Sequence, residues 1–212
     1  MNLMTEVIII NFEQAVEKIL KHEGGYVDHE HDRGGETNFG ITKQVARSWG
    51  YTGDMADLPR ETAKQIYRDR YWNRLQLEEF EDGKLRYMIF DQAVNMGAGT
   101  AVRELQHTYN ILTGADIAVD GIVGPQTISH INGVDNSQRL RFAYMCARGD
   151  RYMHIVDNDS SQQVFINGWF NRLISVAQAA QIIDEGHSTQ QQDLSFNELV
   201  DRFAEELKNR LG

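Results

Sequence analysis

The sequence predicts a mainly α-helical fold with a small β-hairpin or irregular loop after the first helix. Of its 212 residues only two are proline, and 41% are hydrophobic. Apolar residues recur at spacings of three and four, the period of helices that bury one face. A chain of this length can bury a core of its own. Its single cysteine, Cys146, excludes an intrachain disulfide, and we expect it to be a small buried side chain.

The first helix is the best marked element. Asn11 can cap it, with Gln14 three residues later at the spacing of a capping box, and the pair Gly24-Gly25 ends it. Over residues 25–42 the helical pattern gives way to glycines and charged residues, which predicts the hairpin or irregular loop. The apolar stripe of the first helix consists of Phe12, Ala15, Val16, Ile19 and Leu20.

The same periodicity predicts the later helices. Residues 85–94 are apolar on nearly all sides, as expected of a helix in the middle of the core. Pro59 and Pro125 stand where helices are expected to begin, since proline suits the first helical position. The further helices are expected at residues 42–48, 59–72, 85–94, 100–112, 125–131, 137–156 and 162–183.

We expect the chain to divide into four parts. A first part covers residues 1–94, and a second helical part over 95–183 packs on it. Residues 184–192 are polar and contain glycine, as in a linker. Residues 193–212 form an amphipathic helix that begins with a capping box. Its apolar face must pack back on the body or against a partner, including a second copy of the chain.

The charge and the N-terminus limit the partners and the location. The formal net charge is −10 and no basic block is present, which disfavours a nucleic-acid partner. No basic segment precedes the short apolar run at residues 7–10, so we expect no classical signal peptide. No stretch approaches the ~20 apolar residues of a membrane helix. We therefore expect a chain made in the cytoplasm, without membrane insertion, that needs another export route to reach a substrate outside.

Glu23 is the first candidate for chemistry. It stands on the last turn of the first helix, just before two glycines. The partial negative charge of a helix C-terminus disfavours a carboxylate, and partial burial acts in the same direction. Both effects raise the pKa of the carboxyl group, as a general acid that works near neutral pH requires.

Asp32 is the candidate partner, nine positions later on the loop that we expect to fold back beside the helix. A glycosidase needs two such carboxyl groups: one protonates the leaving oxygen, and the other supports the oxocarbenium-like centre, positions water or attacks directly. Thr37 and Asn38 are short polar side chains that could hold a water opposite a sugar ring. By spacing alone, Glu23 and Asp32 also fit ordinary solvated surface positions.

Other residues of the loop, and several aromatic residues, are further candidates. Residue types that bind metals occupy five successive loop positions, but successive positions point in different directions and no helix-borne histidine pair supports them, so we expect no metal site. The five are Asp28, His29, Glu30, His31 and Asp32. The aromatic residues that could stack on sugars, or pack in the core, are Tyr26, Trp49, Tyr51, Trp72 and Trp169.

Six segments resemble one known family. The string EGGYV at residues 23–27, followed by DRGGETNFGIT at residues 32–42, is similar to the signature of glycoside hydrolase family 108. The resemblance spans about residues 11–180, in family order. That family includes phage endolysins with N-acetylmuramidase activity and bacterial proteins called secretion activators. The other matching segments are Ile66-Tyr67 with Tyr71-Trp72, residues 90–97, residues 120–125 and residues 168–172.

The resemblance implies a lysozyme-like fold and a peptidoglycan hydrolase whose partners are glycan strands of the wall. Residues 1–94 would form the catalytic part, and residues 95–183 a predicted peptidoglycan-binding part. Glu23 takes the place of the catalytic acid. No cofactor and no metal are implied.

The resemblance to the wider lysozyme-like group extends to the residues after Glu23. Asp32 reproduces the interval between the glutamate and the aspartate of that group, and the threonine position that follows falls on Thr37 or Asn38. The substrate-binding residues that we expect are Tyr26, Thr37, Asn38, Trp72 and Asn95.

The expected reaction is hydrolysis of the β-1,4 bond between N-acetylmuramic acid and N-acetylglucosamine. One alternative is a lytic transglycosylase, in which a single glutamate acts as acid and then base and the sugar closes a 1,6-anhydro ring. A second is a non-catalytic wall-binding or secretion-associated protein, against which the intact Glu23 and Asp32 argue. The choice between inversion and retention depends on the separation of the two carboxyl groups in space.

Overall fold

The computed structural model describes residues 10–27 and 36–182. The metal-ligand candidates at residues 28–32, the linker and the last amphipathic helix lie outside these ranges. The prediction of a mainly α-helical fold with a small hairpin after the first helix is confirmed. In the described part, no helix has the length and apolarity needed to span a membrane. The α-helices are α1 (Phe12–Glu23), α2 (Lys43–Trp49), α3 (Arg60–Tyr67), α4 (Gly83–Met96), α5 (Ala98–Thr113), α6 (Pro125–Asn132), α7 (Ser137–Asn158) and α8 (Ile166–Ala179).

Helix α1 forms for the reasons that the sequence indicates. The Asn11 side chain accepts a hydrogen bond from the Gln14 backbone N–H at 3.0 Å, and the Gln14 side chain accepts one from the Asn11 N–H at 3.1 Å. This reciprocal capping box satisfies two of the N–H groups that a helix start leaves without partners. All five residues of the apolar stripe are buried. The helix therefore ends with Glu23 at a fixed position beside the core.

The hairpin follows as two short antiparallel strands, β1 (Thr37–Asn38) and β2 (Ile41–Thr42). Phe39 and Gly40 both have positive φ, 51° and 71°, as in a two-residue turn whose twist suits a hairpin. Val27 extends the sheet, because its N–H and C=O both bond to Thr37, at 2.8 and 2.9 Å. The end of α1 and the hairpin are thus joined close to Glu23.

Helix α4 is the centre of the molecule. It is buried on nearly every side, as its apolar sequence predicts, and it contacts α1, α5, α7 and α8. Around Phe90 of this helix, Phe12 and Trp72 form a cluster of rings whose centroids lie 5.3 to 6.1 Å apart. Ring pairs at these distances add to the burial free energy of the core. This packing lets α4 present polar side chains to the site from a fixed position.

Three local expectations are wrong. Pro59 is the N-cap of α3 and not its first helical residue. After α3 the helix continues as a wider π-helix, Arg68–Asn73, where one continuous α-helix was expected. The expected helix over residues 162–183 is instead a 3₁₀-helix, Ser160–Phe165, followed by the shorter α8. The Asp159 side chain accepts from the Ser161 N–H at 3.1 Å and starts the tighter 3₁₀ turn.

Cys146 is also more exposed than expected. It is half-buried on α7, and burial raises the pKa of its thiol. The thiol is therefore protonated at neutral pH.

Candidate active site

Glu23 lies where α1, the hairpin and α8 meet. Its Oε1 accepts a hydrogen bond from Nη1 of Arg172 at 2.7 Å, and its side chain retains 20% of its accessible surface. A Cβ atom on Gly40 would lie only 2.5 Å from Glu23 Oε2 and 2.9 Å from its Cβ. The turn of the hairpin therefore has room for the Glu23 side chain because residue 40 is a glycine.

A buried carboxylate holds Arg172 in place. Asp91 of α4 is fully buried, and its Oδ1 lies 2.9 Å from Nη2 and 3.0 Å from Nε of Arg172. Its Oδ2 lies 2.7 Å from Nη1 of Arg148, which is itself buried on α7. Two carboxylates and two guanidinium groups thus form one network, named here the ion network (Glu23, Arg172, Asp91 and Arg148). Its formal charges balance, as buried charges require.

The pKa shifts in the ion network follow from burial and from these pairs. Burial alone would raise the pKa of Asp91, but the charges and hydrogen bonds of Arg148 and Arg172 hold it below its ordinary value. Burial likewise acts to lower the pKa of Arg172, and Asp91 and Glu23 outweigh it and raise that pKa. Asp91 therefore stays ionised and Arg172 stays charged at neutral pH. The cation that contacts Glu23 is a permanent part of the site.

The ion network continues to Asn95, one helical turn after Asp91. Nε of Arg148 donates to the Tyr152 hydroxyl at 2.8 Å, and that hydroxyl donates to Asn95 Oδ1 at 2.9 Å. Nη2 of Arg148 also donates to Asn95 Oδ1, at 3.3 Å. Asn95 is half-buried, and its Oδ1 atom is committed to these two donors. Its role as a substrate contact stays a prediction.

Two tyrosines lie beside the hairpin turn that contacts Glu23. The Tyr67 hydroxyl donates to the Phe39 carbonyl at 2.8 Å, and Tyr71 stacks on Tyr67 with 5.9 Å between ring centroids. Burial, with a further contribution from the Glu23 charge, raises the pKa of both phenols. Both remain protonated at neutral pH, and the Tyr67 hydroxyl fixes the hairpin turn that Glu23 contacts.

His22 precedes Glu23 and lies at the edge of the site. Its Nε2 lies 3.2 Å from Ser175 Oγ of α8. Partial burial, followed by the charge of Arg172, lowers the pKa of its imidazole. The ring is therefore neutral at pH 7 and adds no second cation beside Glu23.

The predicted substrate contacts separate into exposed and buried residues. Tyr26 is exposed, and Thr37 is half-buried in the strand that pairs with Val27. Asn38 is buried, and its amide donates to the Met55 carbonyl at 2.8 Å. That contact ties the hairpin to the following loop, so the expectation that Asn38 contacts substrate is corrected to a structural role.

Trp72 requires the same correction. Its indole is fully buried against Phe12 and Phe90, and its Nε1 donates to Glu78 at 2.9 Å. A ring without accessible surface cannot stack on a sugar. Trp72 therefore packs in the core and does not contact substrate.

Asp32, the predicted second carboxylate, lies outside the described residues.

Replacing Gly40 tests how closely Glu23 fits the hairpin. We expect Gly40→Ala to lower turnover roughly 100-fold, because the new Cβ displaces the Glu23 side chain, and small displacements of a catalytic group have effects of this size. Gly114→Ala is the matched control, since Gly114 has nearly the same φ, 72° against 71°, and a Cβ atom added there would meet no other atom within 4 Å. Both variants should lose about 1–2 kcal/mol of stability from the left-handed backbone.

Wall-clearing rates and thermal unfolding of the two variants separate these effects. Equal activity in Gly40→Ala and Gly114→Ala would contradict the close seating of Glu23 against the turn.

Two family models and one solved structure are similar to this chain. Residues 16–97 match the family model described as Glycosyl hydrolase 108, and residues 100–174 match the Predicted Peptidoglycan domain. No curated protein matches the chain. The solved structure of Brucella abortus SagA is similar, with 25% sequence identity and a TM-score of 0.66. The likeness covers 84% of this chain and 98% of that one.

The ion network joins the two matched regions. Glu23 and Asp91 belong to the first, and Arg148 and Arg172 belong to the second. The catalytic carboxylate candidate is therefore held by a side chain from the other region. The first region matches glycosyl hydrolase family 108 and the second matches a predicted peptidoglycan domain, and the two together make the chain a peptidoglycan-active glycosidase.

Proposed function

We propose that the chain is an endolysin-type N-acetylmuramidase that hydrolyses the β-1,4 bond between N-acetylmuramic acid and N-acetylglucosamine, with Glu23 as the general acid. The observation that carries this proposal is the ion pair between Glu23 and Arg172 at 2.7 Å, at a point where the Glu23 side chain remains partly accessible. Arg172 binds Oε1, while Oε2 lies beside Gly40, which has no side chain. One carboxyl oxygen is thus anchored and the other can face a glycosidic oxygen.

In this mechanism Glu23, the carboxylate partner of Arg172 in the free site, takes up a proton from solvent before the reaction and donates it to the leaving oxygen as the glycosidic bond breaks. The carboxylate that forms is stabilised by the Arg172 cation, which is already in place and does not have to reorganise. Asp91 holds the guanidinium at that position throughout. The described residues therefore supply the proton donor and a cation that is fixed beside it.

Asp32 is our proposed second carboxylate, with Thr37 as a candidate to position water. Val27 and Thr37, which flank residues 28–36, are paired at the base of that segment. This pairing supports a role for the segment beside Glu23, since Val27 follows Glu23 by four residues. Because the proposed substrate lies outside the cytoplasmic membrane, we further propose that the chain acts after export.

A lytic transglycosylase is the second candidate. Asp91, the other carboxylate of the ion network, is fully buried and both of its oxygens contact guanidinium groups. It is therefore unable to attack the sugar or to activate water. A site that relied on Glu23 alone would fit a reaction in which one glutamate acts as acid and then as base.

The ends of the released fragments distinguish the two reactions. We expect digestion of purified sacculi to give fragments with reducing N-acetylmuramic acid ends, which borohydride reduces. A transglycosylase gives 1,6-anhydro ends, which are lighter by one water and resist borohydride. Mass spectrometry of the reduced digest therefore decides between them. Exclusively anhydro ends would overturn hydrolysis, and binding without any released fragment would favour the wall-binding alternative.

A further inference from the structure

Three aromatic rings form a stack at the start of α8. Trp169 stacks on Tyr152 with 5.3 Å between centroids and 27° between ring planes. Phe165 stacks on Trp169 at 6.2 Å and 25°. Tyr152 is fully buried, Trp169 is half-buried and Phe165 is 53% exposed. This aromatic platform (Tyr152, Trp169 and Phe165) thus runs from the core to the surface.

Trp169 differs from the other tryptophans in its indole N–H. Trp49 donates to Asp69 and Trp72 donates to Glu78, each at 2.9 Å. Among the residues that the structure describes, Trp169 makes ring contacts with Tyr152 and Phe165, and its Nε1 donates no hydrogen bond. Trp169 is half-buried and its indole N–H retains accessible surface, so a ligand on the platform could accept from it. The platform therefore combines an exposed ring with a donor that has no acceptor in this part of the chain.

Helix α8 connects the platform to Glu23. Phe165, Trp169 and Arg172 follow one another at spacings of four and three, which places them along one side of the helix. With a rise of 1.5 Å per residue, Phe165 stands about 10 Å along the axis from Arg172. Tyr152, at the inner end of the platform, donates to Asn95 in the same hydrogen-bond system as the ion network. The platform is thus linked to the candidate active site by the hydrogen bonds of Tyr152 and by helix α8.

We propose that the aromatic platform is a glycan-stacking subsite of the groove that contains Glu23. This inference rests on the proposed function, because the occupant is the same peptidoglycan strand, extended beyond the bond to be cleaved. The face of a pyranose ring presents apolar C–H groups, while its hydroxyl and acetamido groups lie at the rim. An exposed aromatic face with an adjacent N–H donor offers both kinds of contact.

The charges around the platform favour sugar over the stem peptides of the wall. Stem peptides carry carboxylates, which would require a cation that is not already paired. Arg148, which contacts Tyr152, and Arg172, three residues after Trp169, are both paired with Asp91, and Arg172 is also paired with Glu23. The platform itself is uncharged. Neutral sugar rings therefore fit it better than an anionic peptide.

Binding to purified sacculi tests the proposal when cleavage is removed by Glu23→Gln. In that background we expect Phe165→Ala to weaken binding about fivefold to tenfold, the size of a lost stacking contact. Phe165→Tyr should bind normally, because it keeps the ring. The matched control is Phe142→Ala, since Phe142 is 52% exposed on α7, and it should leave binding unchanged. Co-sedimentation measures the binding, and thermal unfolding confirms that each variant is folded.

The same comparison on glycan strands freed of stem peptides identifies the occupant. We expect the Phe165→Ala defect to persist on these strands. A defect that disappears with the peptides, or equal binding by Phe165→Ala and Phe142→Ala, would overturn the subsite. In the active chain, Phe165→Ala should raise KM and leave kcat nearly unchanged.

Failure of the proposed function has a different signature. A wild-type chain that releases no fragments, while Phe165→Ala still weakens binding to stripped strands, would overturn the muramidase and support the subsite. A chain that cleaves normally and is unaffected by Phe165→Ala would overturn the subsite alone.

Discussion

Glu23→Gln is expected to lower the release of wall fragments by about 10²- to 10⁴-fold, the usual contribution of a general acid. The amide has the shape of the carboxyl group and its oxygen can still accept from Arg172, but it has no acidic proton to donate. The fold should be retained, because the changed side chain is partly exposed and keeps this contact. Clearing of a sacculus suspension gives the rate, and thermal unfolding gives the stability.

Glu17→Gln is the matched control on the same helix. Glu17 is partly exposed and pairs with Arg60 and Lys64, whose hydrogen bonds lower its pKa to about 2. It has no contact with the ion network, so its replacement should leave activity unchanged. Asp32→Asn should lose less than Glu23→Gln, as expected of a residue that orients water. Near-normal turnover by Glu23→Gln would reject Glu23 as the acid.

The parts of the site that depend on local sequence could be predicted. The capping box of Asn11 and Gln14 and the glycines after Glu23 fix where α1 begins and ends. The position of Glu23 on the last turn follows directly from them. The hairpin after the helix follows from its glycines and from the loss of helical periodicity. These signals act over a few residues, which is the range in which pattern and backbone conformation are tightly coupled.

The partners of Glu23 could not be predicted, because they come from distant segments. Arg172 lies 149 residues further along the chain, and Asp91 lies in a stretch whose apolar pattern indicates only a core helix. Both residues fall within segments that resemble the family, but no local pattern marks either one as a site residue or indicates that they pair. Periodicity identifies which face of a helix is buried, and it does not identify which buried charges meet.

The surroundings of the tryptophans also could not be predicted from local sequence. Both Trp72 and Trp169 could stack on sugars by sequence, and Trp72 was the one expected to bind substrate. The π-helix turns Trp72 into the core, where Glu78 satisfies its N–H. The 3₁₀ turn before α8 leaves Phe165 exposed beside Trp169. Neither helix type has a strong local signature, and each was expected to be ordinary α-helix, so the assignment of the two rings required the structure.

Asp91→Asn is expected to be the most destabilising single change in the site. Asp91 is fully buried and accepts from two guanidinium groups. Neutralising it leaves Arg148 and Arg172 with a single carboxylate, Glu23, and an uncompensated buried charge costs about 3–5 kcal/mol. For a chain of this size that corresponds to a fall in Tm of about 10 °C. Activity should fall as well, because Arg172 loses the group that positions it against Glu23.

A double-mutant cycle separates the charge imbalance from the loss of packing. Adding Arg148→Met to Asp91→Asn restores a balanced pair, Arg172 with Glu23, and fills the space of the Arg148 stem with an apolar side chain. We therefore expect the double variant to unfold at a higher temperature than Asp91→Asn alone, with a coupling free energy of about 1–3 kcal/mol. Its activity should stay low, because Arg172 still lacks the Asp91 carboxylate that positions it against Glu23. If the losses in Tm of the single variants simply add in the double variant, charge balance does not hold the ion network together. If the double variant recovers stability but not activity, Asp91 has two separate roles, one in folding and one in positioning Arg172 against Glu23.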